Sequence, residues 1–251
     1  RYWPGSDITT VERRVSSAVY VVYYLYTSMV THLLRLFHCT DPIHGTGYDG
    51  GTFLFTDLSV RCDSKEYKGA QGVVFVFLFF YLVAVPGLIY WITVRNKHRL
   101  DEPAFRAMFG FVFVGYQRDA AWWEVVVLAR KLALVAVLVF ASTDKFLQSF
   151  FALFVLLVAM VAQLIRRPFD KPSLNRMEAF GLYALVFTQL ISIAYFWVEQ
   201  ESTKTVEEKK AITAWTTGLL IAINVDAAVV LLGHIAAASV SRLKGWCAWL
   251  S

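Results

Sequence analysis

Five side chains in this sequence stand where chemistry inside an apolar layer would be done: Glu124, Arg130, Lys131, Asn224 and Asp226. The first three belong to "AWWEVVVLARKL", residues 121–132, in which Trp122, Trp123 and Glu124 precede an apolar run and two cations stand inside it. The other two belong to "IAINVDAAVV", residues 221–230. Charge in hydrocarbon is costly, so such groups pair, reach back to the interface, or mark an ion or proton path. Arg130 lies about 10.5 Å beyond Trp123 along a helix. Helical side chains lean toward the N-terminus. In a helix entering from the cytosolic face, both cations therefore reach back to inner phosphates or to an acid, with the tryptophans at headgroup level. On that reading the motif is a depth marker. On the other it is a buried polar cluster that senses or gates, with Asp226 as counter-charge. A plain interhelical salt bridge, or a protonated Asp226 bonded to a neighbour, is the structural version of the same pairing. Glu124 shares a face with Lys131 but is about two turns away, so contact needs a group between them.

Cys39 and Cys62 bracket a loop rich in Gly and Asp, "HCTDPIHGTGYDGGTFLFTDLSVRCDS". A disulfide closing about 20 residues contributes roughly 3 kcal/mol and belongs to an oxidising compartment. The alternative is two unrelated thiols. His38 and His44 flank Cys39 as conceivable metal ligands, but a cysteine partner at 62 favours the disulfide. Cys247, in "GWCAWLS", reads as an interfacial cysteine or a palmitoylation site. The histidines show no H-x-x-x-H spacing, and there is no P-loop, no G-x-S-x-G, and no G-x-G-x-x-G after a strand. His32 and Arg35 read as interfacial, and of the histidines only His32 and His234 fall near helices. Neither an enzyme, a metal site nor a cofactor is expected.

These side chains need elements that hold them. Of 251 residues, 57 % are hydrophobic and 17 % charged, against about a quarter charged in a soluble domain. Six apolar runs, 15–34, 73–94, 125–141, 147–165, 177–198 and 212–233, approach the roughly 20 residues of a transmembrane helix. Most lack the recurring polar face of a soluble helix. The expected fold is an all-α integral membrane bundle of six transmembrane helices, one domain over 1–251, with a disulfide-closed outer loop at 35–72 and an inner interfacial helix at 103–118. The first run is the most polar, and its Tyr20, Tyr23, Tyr24 and Tyr26 suggest a side facing protein. Pro86 and Gly87 in the second predict a kink or a packing site. Pro103 can open a helix whose Phe105, Met108, Phe109, Val112 and Tyr116 would lie on the inner leaflet. In "RRPFDKPSLNRMEAF" two prolines stop one helix and Ser173 caps the next.

With the N-terminus in the cytosol, the inner segments carry fourteen cations and the outer ones eight, which supports both ends inside. No basic block interleaves with aromatics on a polar face, so nucleic acid is not an expected partner. The expected partners are the lipid bilayer, other membrane or extracellular proteins, and a further copy of the chain. The first residue is Arg1 rather than Met, which suggests a processed product or a piece of a longer one. No cleavable signal peptide and no internal repeat is evident.

Taken in order, "HCTDPIHG", "DLSVRCDSKEY", "FGFVFVGYQRDAAWWEVVVLARKL" and "RRPFDKPSLNRMEAF" resemble the multi-pass region, often called TRP-channel-like, at the C-terminal end of large surface proteins of algae, oomycetes and other protists. The resemblance runs from about Cys39 to Phe180. It implies a eukaryotic plasma, ciliary or endomembrane protein with large extracellular modules upstream, and ion conduction as the usual label. With those modules outside and Arg1 inside, a further crossing would precede this chain. The chain departs from a six-helix channel in one place. Its fifth and sixth runs are joined by "EQESTKTVEEKKA", with no apolar pore helix and no glycine-bearing filter. Glu199, Glu201, Glu207 and Glu208 could ring a mouth, but a solvated loop is simpler. No helix carries cations at every third position, as a voltage sensor would. A membrane anchor or assembly subunit and an ion channel or channel subunit are therefore the two competing functions.

Overall fold

The computed structural model describes residues 10–40, 42, 44–45, 48–200 and 205–250, without the side chains of 44, 45, 48, 49, 199, 200, 234, 235 and 237–250. The expectations for Glu199, Glu201, His44, His234 and Cys247 fall outside the described side chains. The chain forms two compact units, Arg1–Thr143 with Pro168–Asp170, and Asp144–Arg167 with Lys171–Ser251.

All six apolar runs are helical. In the first unit these are α1 (Thr10–Arg35), the continuous helix begun by α2 (Lys65–Phe79) and continued by α3 (Val85–Tyr90), and α5 (Trp123–Phe140). In the second they are α6 (Lys145–Arg166), α7 (Pro172–Gln200) and α8 (Val206–Leu250). Among the described residues, four helices are long and apolar enough to cross a membrane: Lys65–Arg95, Lys145–Arg166, Pro172–Val198 and Val206–Gly233. Their outer faces carry exposed Phe75, Phe79, Phe154 and Ile165, which water would not tolerate on this scale. The chain is thus helical and membrane-protein-like, with candidate spans that suggest a membrane location. Two of the expected six spans, α1 and α5, are not apolar enough by themselves. α5 holds Glu124, Arg130 and Lys131 within its 18 residues, and α1 is broken by serines, threonines and arginines.

The Pro86–Gly87 pair has a local consequence. A proline inside a helix lacks the N–H for residue i−4, and its ring crowds that carbonyl. The backbone widens to π geometry over Phe80–Ala84, just ahead of Pro86, and again at Trp91–Arg95. Proline and π-turns are both recognised causes of helix distortion. Gly87 is not a packing site within the chain: a Cβ there would meet nothing within 4 Å.

The segment between α1 and α2 contains two short hairpins among its described residues. β1 (His44–Gly45) pairs with β2 (Tyr48–Asp49), and β3 (Phe53–Leu54) with β4 (Asp57–Arg61), both antiparallel. Cys39 and Cys62 are joined in a disulfide. Thr40 N–H donates to Phe53 O at 2.8 Å, Phe55 N–H to His38 O at 2.9 Å, and Cys62 N–H to Thr52 O at 3.0 Å. The loop is pinned to α1 and α2 by Tyr67, whose hydroxyl donates to Leu36 O. His38 stacks on Phe55 with ring centroids 4.5 Å apart. In the β3–β4 turn, Asp57 accepts from the Ser59 N–H at 3.0 Å and hydroxyl at 2.7 Å, and these donors hold its carboxyl below the usual range.

The segment expected to lie on the inner leaflet is helical over α4 (Pro103–Phe113), ending five residues before 118. Part of its apolar face meets protein: Phe105 and Phe113 pack with Ile92, Leu100 and Ala121, and Val112 joins the main core. That core combines Tyr26, Val30 and Leu34 of α1 with Val85 and Ile89 of α3 and Leu128, Val135 and Val139 of α5. The α1 residues recur every fourth position, so one side of α1 does face protein, while Tyr20 and Tyr24 stay exposed.

In the second unit α7 packs against both α6 and α8. Gln163 on α6 is buried and donates to Asn175 on α7 at 3.3 Å. Asp144 caps α6 by accepting the Leu147 N–H at 3.0 Å. Between α6 and α7 the expected cap differs. Pro172 is the first helical residue of α7, a position that suits proline because its missing N–H would be unpaired there anyway. Ser173 therefore lies inside the helix rather than capping it.

Candidate functional site

Glu124 sits in the first turn of α5 and is only 8 % exposed. A carboxylate so placed needs donors, and two phenols supply them. Tyr23 of α1 donates to one oxygen, and Tyr116 donates to the other at 2.8 Å. Lys131 then donates to the Tyr23 hydroxyl at 3.4 Å, with its ammonium 5.2 Å from the centre of the Tyr23 ring, within reach of a cation–π attraction. The order is Lys131 to Tyr23 to Glu124, with Tyr116 closing the other side. The group required between Glu124 and Lys131 is thus Tyr23. The Arg130 charge acts on the same phenol.

The backbone that places Tyr116 is equally specified. Gly115 has φ of 108°, a conformation that favours glycine. Its carbonyl accepts from Asp170 N–H at 2.9 Å, and Gln117 N–H donates to Pro168 O at 2.8 Å. Tyr116 stacks on Phe169 at 4.7 Å. Residues 168–170 are thereby held against the 115–117 turn, and the Glu124 carboxylate is joined through Tyr116 to that junction.

The tryptophans divide. Trp122 is half-buried and donates to Asp119 O at 3.2 Å. Trp123 is buried by protein, so of the pair Trp122 alone is open to a headgroup. The sequence singled out Glu124 and Lys131 but not their connectors. Tyr23 was visible only as one of four tyrosines in the first run, and Tyr116 only as the end of an apolar helical face.

Asn224 and Asp226 lie on α8 in the second unit. Asn224 donates to Thr188 Oγ1 on α7 at 3.2 Å and to Leu220 O at 2.8 Å. Asp226 is exposed, and among the described residues no hydrogen bond or ion pair engages it. The group around Glu124 can hold charge inside the helical layer.

No family model matches the chain, and no solved structure matches it. Among curated proteins it is similar to cysteine repeat modular protein A of Toxoplasma gondii, with 25 % identity over 191 residues that cover 72 % of this chain. The similar stretch spans 6 % of that protein's length.

Proposed function

We propose that the chain is a six-pass, non-catalytic membrane region that anchors or assembles a larger protein or complex at a eukaryotic plasma, ciliary or other cell membrane. The observation that carries this reading is the closure of the Glu124 network. Lys131 and Glu124 of α5 are joined through Tyr23 of α1, and Tyr116 takes the other oxygen of the carboxylate. That closure also supports α1 and α5 as the two further crossings. Lys131 and Glu124 are linked within the pair through Tyr23, which lowers the cost of a helix too polar to cross alone. The short span that the match occupies in its long relative suits a membrane region of something much larger. The cation bias supports cytosolic termini, and the Cys39–Cys62 disulfide supports residues 39–62 on the oxidising side.

Conduction is the second reading, in keeping with the TRP-channel-like resemblance, and the exposed Asn224 and Asp226 within an apolar span favour it. Reconstitution of the purified chain in liposomes with potassium, sodium and calcium flux reporters separates the two. An anchor gives flux no higher than empty vesicles. Flux that Asp226→Asn changes in ion preference would establish the channel and remove the anchor reading. Cysteine labelling from either side of sealed membranes tests topology: after reduction, Cys39 and Cys62 should react only from the outside.

A further inference from the structure

Within the first unit, Tyr20, Tyr23 and Tyr26 of α1 stand three residues apart. A step of three advances about 4.5 Å along a helix and falls about 60° short of a full turn. The middle tyrosine carries the contacts to Glu124 and Lys131. The last, Tyr26, is 1 % exposed and lies in the core with Val85 and Ile89 of α3 and Leu128 and Val135 of α5. All of these belong to the first unit. The Tyr26 hydroxyl is buried and has no hydrogen-bond partner among the described residues, which is costly in an apolar core. The same step of three preserves the rest of the seam. Phe111 of α4 meets Tyr20 and Tyr23 edge-on, with ring centroids 5.6 and 5.3 Å apart; one step on, it would meet Tyr23 and Tyr26. The core positions of Tyr26, Val30 and Leu34 would pass to Met29, Leu33 and Phe37, all apolar, and Leu33 and Phe37 already pack against this core. Beyond the end of α1, Tyr67 of α2 donates to Leu36 O and lies 3.5 Å from Cys39 Sγ. That contact holds the observed register.

We propose that α1 slides between two registers three residues apart, in which Tyr23 and then Tyr26 bridges Lys131 to Glu124, and that Tyr67 with the disulfide-closed segment is the catch. Packed elements move between discrete registers of this kind rather than continuously. In the second register the Tyr26 hydroxyl donates to Glu124 and accepts from Lys131, so the buried group gains both partners. A change in the 39–62 segment that frees Leu36 thereby moves the start of α1 by about 4.5 Å.

The test uses the whole chain in detergent and two readouts. The first is thermal unfolding. Tyr26→Phe should raise the melting temperature by roughly 2–4 °C, because it removes an unpaired buried hydroxyl. In a Tyr23→Phe background the same change should lower it, because Tyr26 then holds Glu124. An effect of the same sign in both backgrounds, or none in either, overturns the proposal. So does a fall in the otherwise wild-type chain, which would mean that the hydroxyl is held in the observed register, by a buried water for example. The second readout is a photoreactive benzoylphenylalanine in place of Phe111, with its crosslinks mapped by mass spectrometry. The wild-type chain should crosslink mainly to residues 20 and 23. Tyr23→Phe should move the crosslinks to residues 23 and 26. Tyr67→Phe leaves the three tyrosines of α1 intact and should add the crosslink to residue 26. This second variant keeps the test decisive if Tyr23→Phe fails to fold: crosslinks that stay at residues 20 and 23 after Tyr67→Phe overturn the proposal.

Discussion

Glu124 is the residue on which the first unit depends most. Its two oxygens take both phenol hydroxyls, and hydrogen bonds to a charged group contribute more than neutral ones, about 1.5–3 kcal/mol. Glu124→Gln should therefore lower stability in detergent by about 2 kcal/mol, read by thermal or denaturant unfolding, and Glu124→Ala by more. Tyr23 joins the acid to Lys131, so Tyr23→Phe and Lys131→Met should couple. A double-mutant cycle should return a non-zero interaction of about 0.5 kcal/mol or more; strict additivity would show that the two do not act together. Gly115→Ala, at φ of 108°, should weaken the turn that presents Tyr116 and destabilise by about 1–2 kcal/mol. At Asp57 the sign follows from donors that lower the folded carboxyl's pKa. The turn's contribution is present above the unfolded value and lost as pH falls through the folded one. The protection of the Ser59 amide, measured by NMR exchange relative to the intrinsic rate at each pH, should fall on acidification through that range.

Among the elements, α6 has a discrete start. Asp144 accepts the Leu147 N–H, and Asp144→Ala should cost about 1 kcal/mol, while Asp144→Ser keeps most of the cap. The π-turn before Pro86 is a consequence of the proline and not of the glycine beside it. Pro86→Ala should restore regular i→i−4 bonding over Phe80–Ala84 and raise amide protection there, whereas Gly87→Ala should be tolerated because the added methyl meets nothing. Protection unchanged by Pro86→Ala would assign the widening to packing instead.

At the scale of the whole molecule, the disulfide closes the segment between α1 and α2. Cys39→Ser, Cys62→Ser and the double variant should be destabilised equally, by roughly 3 kcal/mol, because each removes the same crosslink. Unequal losses would mean that one cysteine contributes through its own contacts. The anchor and channel readings part at this scale as well: one predicts a bundle that passes no ions, the other a path along Asp226.

The apolar runs were legible from the amino-acid order because they rest on local composition: a run of about 20 apolar residues specifies a helix wherever it lands. The positions of Glu124 and Lys131 were legible too, since helical periodicity puts them on one face. Their connection was not. Tyr23 is 101 residues from Glu124, and nothing local distinguishes it from Tyr20 or Tyr24, which stay exposed. Likewise the apolar face of α4 reads identically whether lipid or protein will cover it; only the approach of α1 and of Ile92, Leu100 and Ala121 decided that it packs inward. Local order determines which segments are helical and where charge is costly. Which side chains meet to relieve that cost is settled by packing between segments far apart in the chain.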